Sequence, residues 1–116
     1  MNKNLIAISI GDIDGIGIEI LINLWKKKIV NKFVLFTNKR IFTNYLIKNK
    51  IKLDINVVNL NNNKIEYSNS KFNIFDIDTK NKTDNTYKSI NISYQLCKKN
   101  KFLGLITLPL NKELII

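Results

Sequence analysis

Three of the four glycines of this 116-residue chain, Gly11, Gly15 and Gly17, fall within seven positions and are interleaved with Asp12, Asp14 and Glu19. Glycine tolerates positive φ and lets a ligand or another stretch of backbone come close. A helix starting here would also present unpaired N–H groups and a positive dipole end to a phosphate or carboxylate. The three acids would repel a bare anion, which favours a hydroxyl-bearing or cation-bridged ligand. The spacing fits neither G-x-G-x-x-G nor G-x-x-x-x-G-K-[ST], so the dinucleotide fingerprint and the Walker loop do not apply. A tight turn without a ligand is the other explanation of the cluster. A second cluster, Thr107-Leu108-Pro109-Leu110-Asn111-Lys112, contains the only proline and follows an apolar run. Strand carboxyl ends are where open α/β sheets hold ligands. A strand end, a turn and a helix capped by Asn111 form its plain structural alternative.

Other chemistries are excluded by what the chain lacks. With no histidine, it cannot by itself build a histidine zinc site, a Ser-His-Asp triad or a Cys-His pair. The one cysteine, Cys97, rules out an internal disulfide, fits a reducing compartment and reads as core. No apolar run approaches the roughly 20 residues of a membrane-spanning helix. The amino terminus has no secretory h-region, so a cytoplasmic location without membrane association is expected. The net charge of +10 comes from 18 Lys and one Arg against 9 acids, in a chain whose commonest residues are 21 Ile, 19 Asn and 18 Lys. These are the residues that AT-rich codons favour, and Arg40 alone offers a bidentate fork, so the charge excess argues only weakly for nucleic acid.

The elements that must position the two clusters alternate. Leu5 to Ile10 reads as a buried strand, and after the glycines a helix carries Ile18, Leu21, Ile22 and Trp25 at i, i+3, i+4 and i+7. Ile20 and Leu24 widen that stripe, so the helix is expected to be covered around much of its circumference. Strand Phe33–Phe36 follows, then a helix capped by Asn38 and running to about Lys50 with Ile41, Phe42, Tyr45 and Leu46 on one face. A strand is expected from Ile55 to Leu60, a polar loop from Asn59 to Ser70 with a short strand at Ile65 to Tyr67, and a strand from Phe72 to Ile77. A second polar loop, Asp78 to Asn85, leads to a helix from about Thr86 to Lys99 whose inner face is Tyr87, Ile90, Tyr94 and Cys97. The last strand is Phe102 to Thr107, and 111–116 reads as the first turn of a further helix. The pattern predicts an α/β fold in one unit, 1–116, with helices on both faces of a sheet and an architecture that looks like part of a larger domain.

Together the two clusters resemble a known family. Ile6 to Glu19 resembles the amino terminus of the 4-hydroxythreonine-4-phosphate dehydrogenases, roughly I-x-x-G-D-P-[AS]-G-I-G-P-E, with Gly11, Asp12, Gly15, Ile16, Gly17 and Glu19 matching. Leu105 to Leu114 is similar to the family's V-T-x-P-[IV]-x-K-x-x-[IL], with Thr107, Pro109, Asn111 and Lys112 matching. Order and spacing agree, and the chain corresponds to about the first third of a member. Ile13 and Ile18 replace two prolines, at about 0.4–1 kcal/mol each through a freer unfolded chain. Asp14 and Leu108 each replace a small residue.

The resemblance implies a partial three-layer αβα sandwich like that of the isocitrate and isopropylmalate dehydrogenases. It also implies a homodimeric enzyme, when full length, that oxidises a phosphorylated hydroxy amino acid with NAD or NADP in pyridoxal 5'-phosphate synthesis. That family uses a divalent metal held by three histidines downstream of the second motif, which this chain does not contain. The residues expected at the cleft are Asp12, Gly15, Gly17 and Glu19 as a lining turn, with Thr107, Asn111 and Lys112 as substrate-side contacts and Lys112 facing the anionic groups. By itself the chain is expected to be inactive. The alternatives are a non-catalytic module that pairs with a separate carboxyl-terminal piece, and a basic nucleic-acid-binding protein.

Overall fold

The computed structural model describes residues 4–61, 64–99 and 101–110. In order these form β1 (Ile6–Ser9), α1 (Ile16–Lys26), β2 (Phe33–Thr37), α2 (Lys39–Lys48), β3 (Ile55–Val57), β4 (Leu60–Asn61), β5 (Lys64–Ile65), β6 (Phe72–Asp76), α3 (Lys82–Lys98) and β7 (Gly104–Thr107). Five strands form one parallel sheet in the order β3-β6-β2-β1-β7, and β4 and β5 make a small antiparallel pair. The chain moves outward from β1 through β2 to β3 with α1 and α2 on one face, then crosses back from β6 to β7 with α3 on the other. This is what right-handed crossovers require when the direction of travel reverses. The expected α/β architecture with helices on both faces is therefore present.

β2 is an unbroken apolar run because both of its faces are covered, and all five of its residues are buried. Toward α1 and α2 the core joins Ile8, Phe33, Leu35, Phe72 and Ile74 of the sheet to Ile18, Leu21, Ile22, Phe42 and Leu46. Phe72 is its hub, meeting Trp25 and Phe33 edge-on and stacking on Phe42 at centroid distances of 5.3–5.6 Å. α2 starts where its cap predicts: the Asn38 side chain accepts from the Ile41 N–H at 3.0 Å.

Four sequence expectations are corrected. α3 begins at Lys82, so the end of the expected loop Asp78 to Asn85 is already helical. The reason is a reciprocal cap: Asn81 accepts from the Asp84 N–H (2.8 Å), and Asp84 accepts from the Lys80 N–H (2.9 Å). The inner face of α3 is also different, since Tyr87 and Tyr94 are 43% and 51% exposed while Asn85, Thr86, Ser89 and Ser93 are buried. The sheet supplies the bulk here, with Phe36 stacked on Phe75 at 4.9 Å and edge-on to Phe102, so the helix contributes small side chains. Their hydroxyls bond back into the helix, Ser89 to the Thr86 carbonyl (2.9 Å) and Ser93 to that of Ser89 (2.6 Å). Third, α1 is not covered around most of its circumference: Ile16 and Ile20 are 63% and 48% exposed. The expected strand Ile55 to Leu60 is likewise interrupted after Val57, and the chain resumes pairing at Leu60 with β5.

Candidate functional site

The two clusters meet at the carboxyl ends of the adjacent strands β1 and β7. Register pairs Ser9 with Thr107, and the chains leave the sheet side by side. The Leu108 N–H donates to the Ser9 carbonyl (3.1 Å), and the Asp12 N–H donates to the Pro109 carbonyl (3.0 Å). The glycines make this contact sterically feasible. Gly11 has φ +64°, and a Cβ there would lie 2.5 Å from the Leu108 carbonyl oxygen and 2.6 Å from that of Pro109. At Gly17 a Cβ would come within 2.6 Å of the Pro109 ring, so this glycine lets the first turn of α1 rest on the second loop.

Asp12 shapes the first loop as an Asx turn, its carboxylate accepting from the Asp14 N–H (3.0 Å) and its carbonyl from the Gly15 N–H (3.0 Å). Gly15 caps α1 without a side-chain bond. Asp14 pairs with Lys82 at 2.9 Å across the loop before α3. Of the acids expected to shape the cluster's field, two are thus engaged within the fold. Glu19 points the other way, into a groove of about 290 Å³ between α1 and α2 that it lines with Tyr45 and Lys26. Burial pushes the Tyr45 phenol above its ordinary value, and the charges of Glu19 and Asp14 add to the shift. Thr107 is exposed at the end of β7. Asn111 and Lys112 lie outside the described residues.

Several residues that hold this arrangement were not singled out from the sequence. Thr86 of α3 donates its hydroxyl to the Gly11 carbonyl (2.8 Å), fastening the glycine loop to the opposite layer. Asn85 accepts from the Asn38 N–H (2.8 Å) and donates to the Thr37 hydroxyl (3.0 Å), and the Asn38 amide donates to the Ile77 carbonyl (2.8 Å). This network closes the gap between β2 and β6, where the outgoing connections part to opposite faces. The repeat Asn85, Ser89, Ser93, four residues apart, was the available signal. The Ser9 hydroxyl at the end of β1 and the Thr79 hydroxyl in the loop after β6 are buried with no hydrogen-bond partner among the described residues. Cys97 packs in the α3-side core and burial raises its thiol pKa, as expected of a packing cysteine.

No three metal-ligating side chains come together among the described residues, and the chain has no histidine. Among the described residues, too, no helix is long and apolar enough to cross a membrane.

This architecture defines a doubly wound α/β unit with two loops clasped at the ends of neighbouring strands. Comparison with known proteins gives no matching family model and no matching curated sequence. Solved structures do match. The chain is similar to a 4-hydroxythreonine-4-phosphate dehydrogenase from Klebsiella pneumoniae at TM-score 0.79 and 20% identity, covering 97% of this chain and 39% of that one. The Burkholderia phymatum enzyme of the same name gives 0.72 and 16%, covering 97% and 38%. The chain shares their fold and spans about two-fifths of their length.

Proposed function

We propose that this chain is the amino-terminal part of an enzyme like the 4-hydroxythreonine-4-phosphate dehydrogenases, in which the clasp between the glycine loop and 107–110 forms one wall of the substrate cleft. The observation that supports it most is the contact of two motifs some 90 residues apart, which resemble segments of one family and here exchange backbone hydrogen bonds. Asp12, Gly15 and Gly17 hold the shape of that wall, and Thr107, Asn111 and Lys112 are the candidate substrate-side contacts, Lys112 for the anionic groups. Glu19 belongs to the same turn but borders the groove toward α2. In the assembled protein, a homodimer, the substrate's hydroxyl is oxidised to a carbonyl, hydride passing to NAD or NADP and the proton to solvent. A divalent ion would polarise that hydroxyl. In the family its ligands lie downstream of the second motif, and on this reading the 116-residue chain assayed alone is expected to give no turnover.

The test is to purify the protein that carries this sequence from its source and supply 4-phosphooxy-threonine, NAD or NADP and a divalent cation. Reduced cofactor should form, and the 116-residue chain assayed in parallel should form none. Absence of oxidation in the source protein would remove the enzyme reading, whereas turnover by the short chain would show that the cleft is complete without any further part.

A further inference from the structure

Because all five strands of the main sheet are parallel, their amino ends and the carboxyl ends of the three helices gather at one pole of the molecule. The segments there, 26–32, 48–54, 69–71, 98–99 and 101–103, carry eleven lysines and one acid, Asp54. At the other pole, where the glycine loop lies, 10–19, 38–42, 76–88 and 107–110 carry six acids against four lysines and Arg40. The ion pairs of Lys82 with Asp14 and of Lys88 with Asp84 are at that second pole. The charge excess, which the sequence shows only as a sum, is thus concentrated on one side. Cations at helix carboxyl ends complement the dipole, which accounts for Lys26, Lys48 and Lys98. It does not account for Lys32, Lys52 and Lys71, which precede strands.

Within the basic pole a cavity of about 460 Å³ is lined by Trp25, Lys26, Lys28, Asn31, Asn69 and Ser70. The fold holds its parts in place. Trp25 is half-buried and meets Phe72 edge-on at 5.6 Å, which fixes the indole. The Tyr67 hydroxyl donates to the Asn31 carbonyl. The buried Asn73 amide donates to the Ser68 and Lys71 carbonyls (2.8 and 3.0 Å), pinning the loop that carries Asn69 and Ser70. Lys28 has φ +60°, in the left-handed position after α1 that glycine usually fills. A fixed aromatic ring among lysines and amides suits a nucleobase and its phosphates, because base faces stack on indole while ammonium groups neutralise the backbone.

We propose that this pole binds single-stranded nucleic acid, one base stacking on Trp25 in the cavity and the flanking phosphates lying over Lys26, Lys28, Lys32 and Lys71. Lys32 and Lys71 directly follow the lining residues Asn31 and Ser70 in the chain. A single strand is favoured over a duplex because a base must leave its stack to enter the cavity. It is favoured over an anionic membrane because the ring is recessed and flanked by amides. Arg40, the one bidentate donor, stands at the other pole, so binding reads backbone and ring without sequence preference. The site lies opposite the proposed substrate cleft, and neither depends on the other.

To test it, a fluorescein-labelled oligouridylate of about 12 nucleotides is titrated with the purified protein, following anisotropy and the emission of Trp25, the only tryptophan of the 116 residues. Binding should quench Trp25, and affinity should fall about 50-fold between about 50 and 200 mM salt, as contacts to about four phosphates require. Lys28→Gln, Lys71→Gln should reduce the slope of log affinity against log salt by about 1.4. Lys39→Gln, Lys80→Gln at the other pole should leave it unchanged. Trp25→Leu should weaken binding about 5- to 150-fold at an unchanged salt slope. The lysine pair is exposed, so it reads the site even where Trp25→Leu fails to fold. No binding at about 50 mM salt, binding without quenching of Trp25, or equal losses from the two lysine pairs would overturn the proposal. So would equally tight binding of inorganic polyphosphate, which has no base, or a preference for phosphatidylserine vesicles over the oligonucleotide.

Discussion

The two faces of the central sheet are held by different physics. On the α1–α2 side, large apolar side chains interdigitate around Phe72. On the α3 side the helix presents amides and hydroxyls, and its bonds reach Thr37, Asn38 and the Gly11 carbonyl at strand ends. Apolar burial is non-directional and stabilises the fold without fixing any one loop. Hydrogen bonds from Asn85 and Thr86 are directional, and they determine where the glycine loop and the entry to α2 stand. The lesson is a division of labour between the helix layers: both faces bury an apolar cluster, but only α3 adds the directional bonds that position the candidate site.

Breaking the apolar face should have the largest effect. Phe72→Ala removes a fully buried ring in contact with three aromatic neighbours, and should cost about 3–5 kcal/mol in a urea unfolding experiment. The hydrogen-bonded face should respond less strongly but more locally. Asn85→Ala leaves the Asn38 N–H and the Thr37 hydroxyl without this partner, at about 1–3 kcal/mol for each buried group left unpaired. Amide exchange should then quicken at residues 38–41 ahead of the sheet. If Asn85→Ala instead loosened the whole chain uniformly, the division between the faces would be wrong.

The seam between the faces gives a finer test. Gly17→Ala places a methyl against the Pro109 ring and should cost about 1–3 kcal/mol by overpacking. Its distinguishing sign is a change in the chemical shifts of 107–110, which Phe72→Ala should reach only through global unfolding. The smallest effect concerns Asp84, whose carboxyl is held below its ordinary value, first by the Lys80 N–H and further by Lys88. A carboxyl with a lowered folded-state pKa stabilises the fold above its ordinary titration range, and that contribution is lost as pH falls through the lowered value. Acidification should therefore fray the first turn of α3 in wild type, and Asp84→Asn should show weaker pH dependence of amide exchange there. Because the carboxylate is exposed, the global unfolding midpoint should scarcely move.

How far the sequence could be read followed the same division. Ile18, Leu21, Ile22 and Phe42, Leu46 recur at helical spacing, so α1 and α2 and their inner faces were legible, as was the Asn38 cap. α3 was misread at both its start and its inner face. Its cap lay in a stretch whose polarity suggested a loop, and its buried stripe consists of Asn, Thr and Ser, which hydropathy assigns to solvent. The glycine and proline clusters could be recognised as exceptional by residue type. That Gly11 and Gly17 serve Leu108 and Pro109, and that Glu19 faces α2, could not be read from spacing.

Sequence alone determined the α/β alternation, the apolar layer under α1 and α2, and the absence of imidazole chemistry, because each depends on residue type and short-range periodicity. Tertiary structure decided which loops touch, which of the acids are already engaged and which side of α1 stays uncovered. These depend on strand order, and strand order is set by pairings between segments as far apart as β1 and β7, whose register brings Ser9 beside Thr107. No local pattern encodes that distance. It emerges only when the crossover reverses and α3 carries the chain back past β1, so that a glycine at position 17 and a proline at position 109 come to share the same few ångströms.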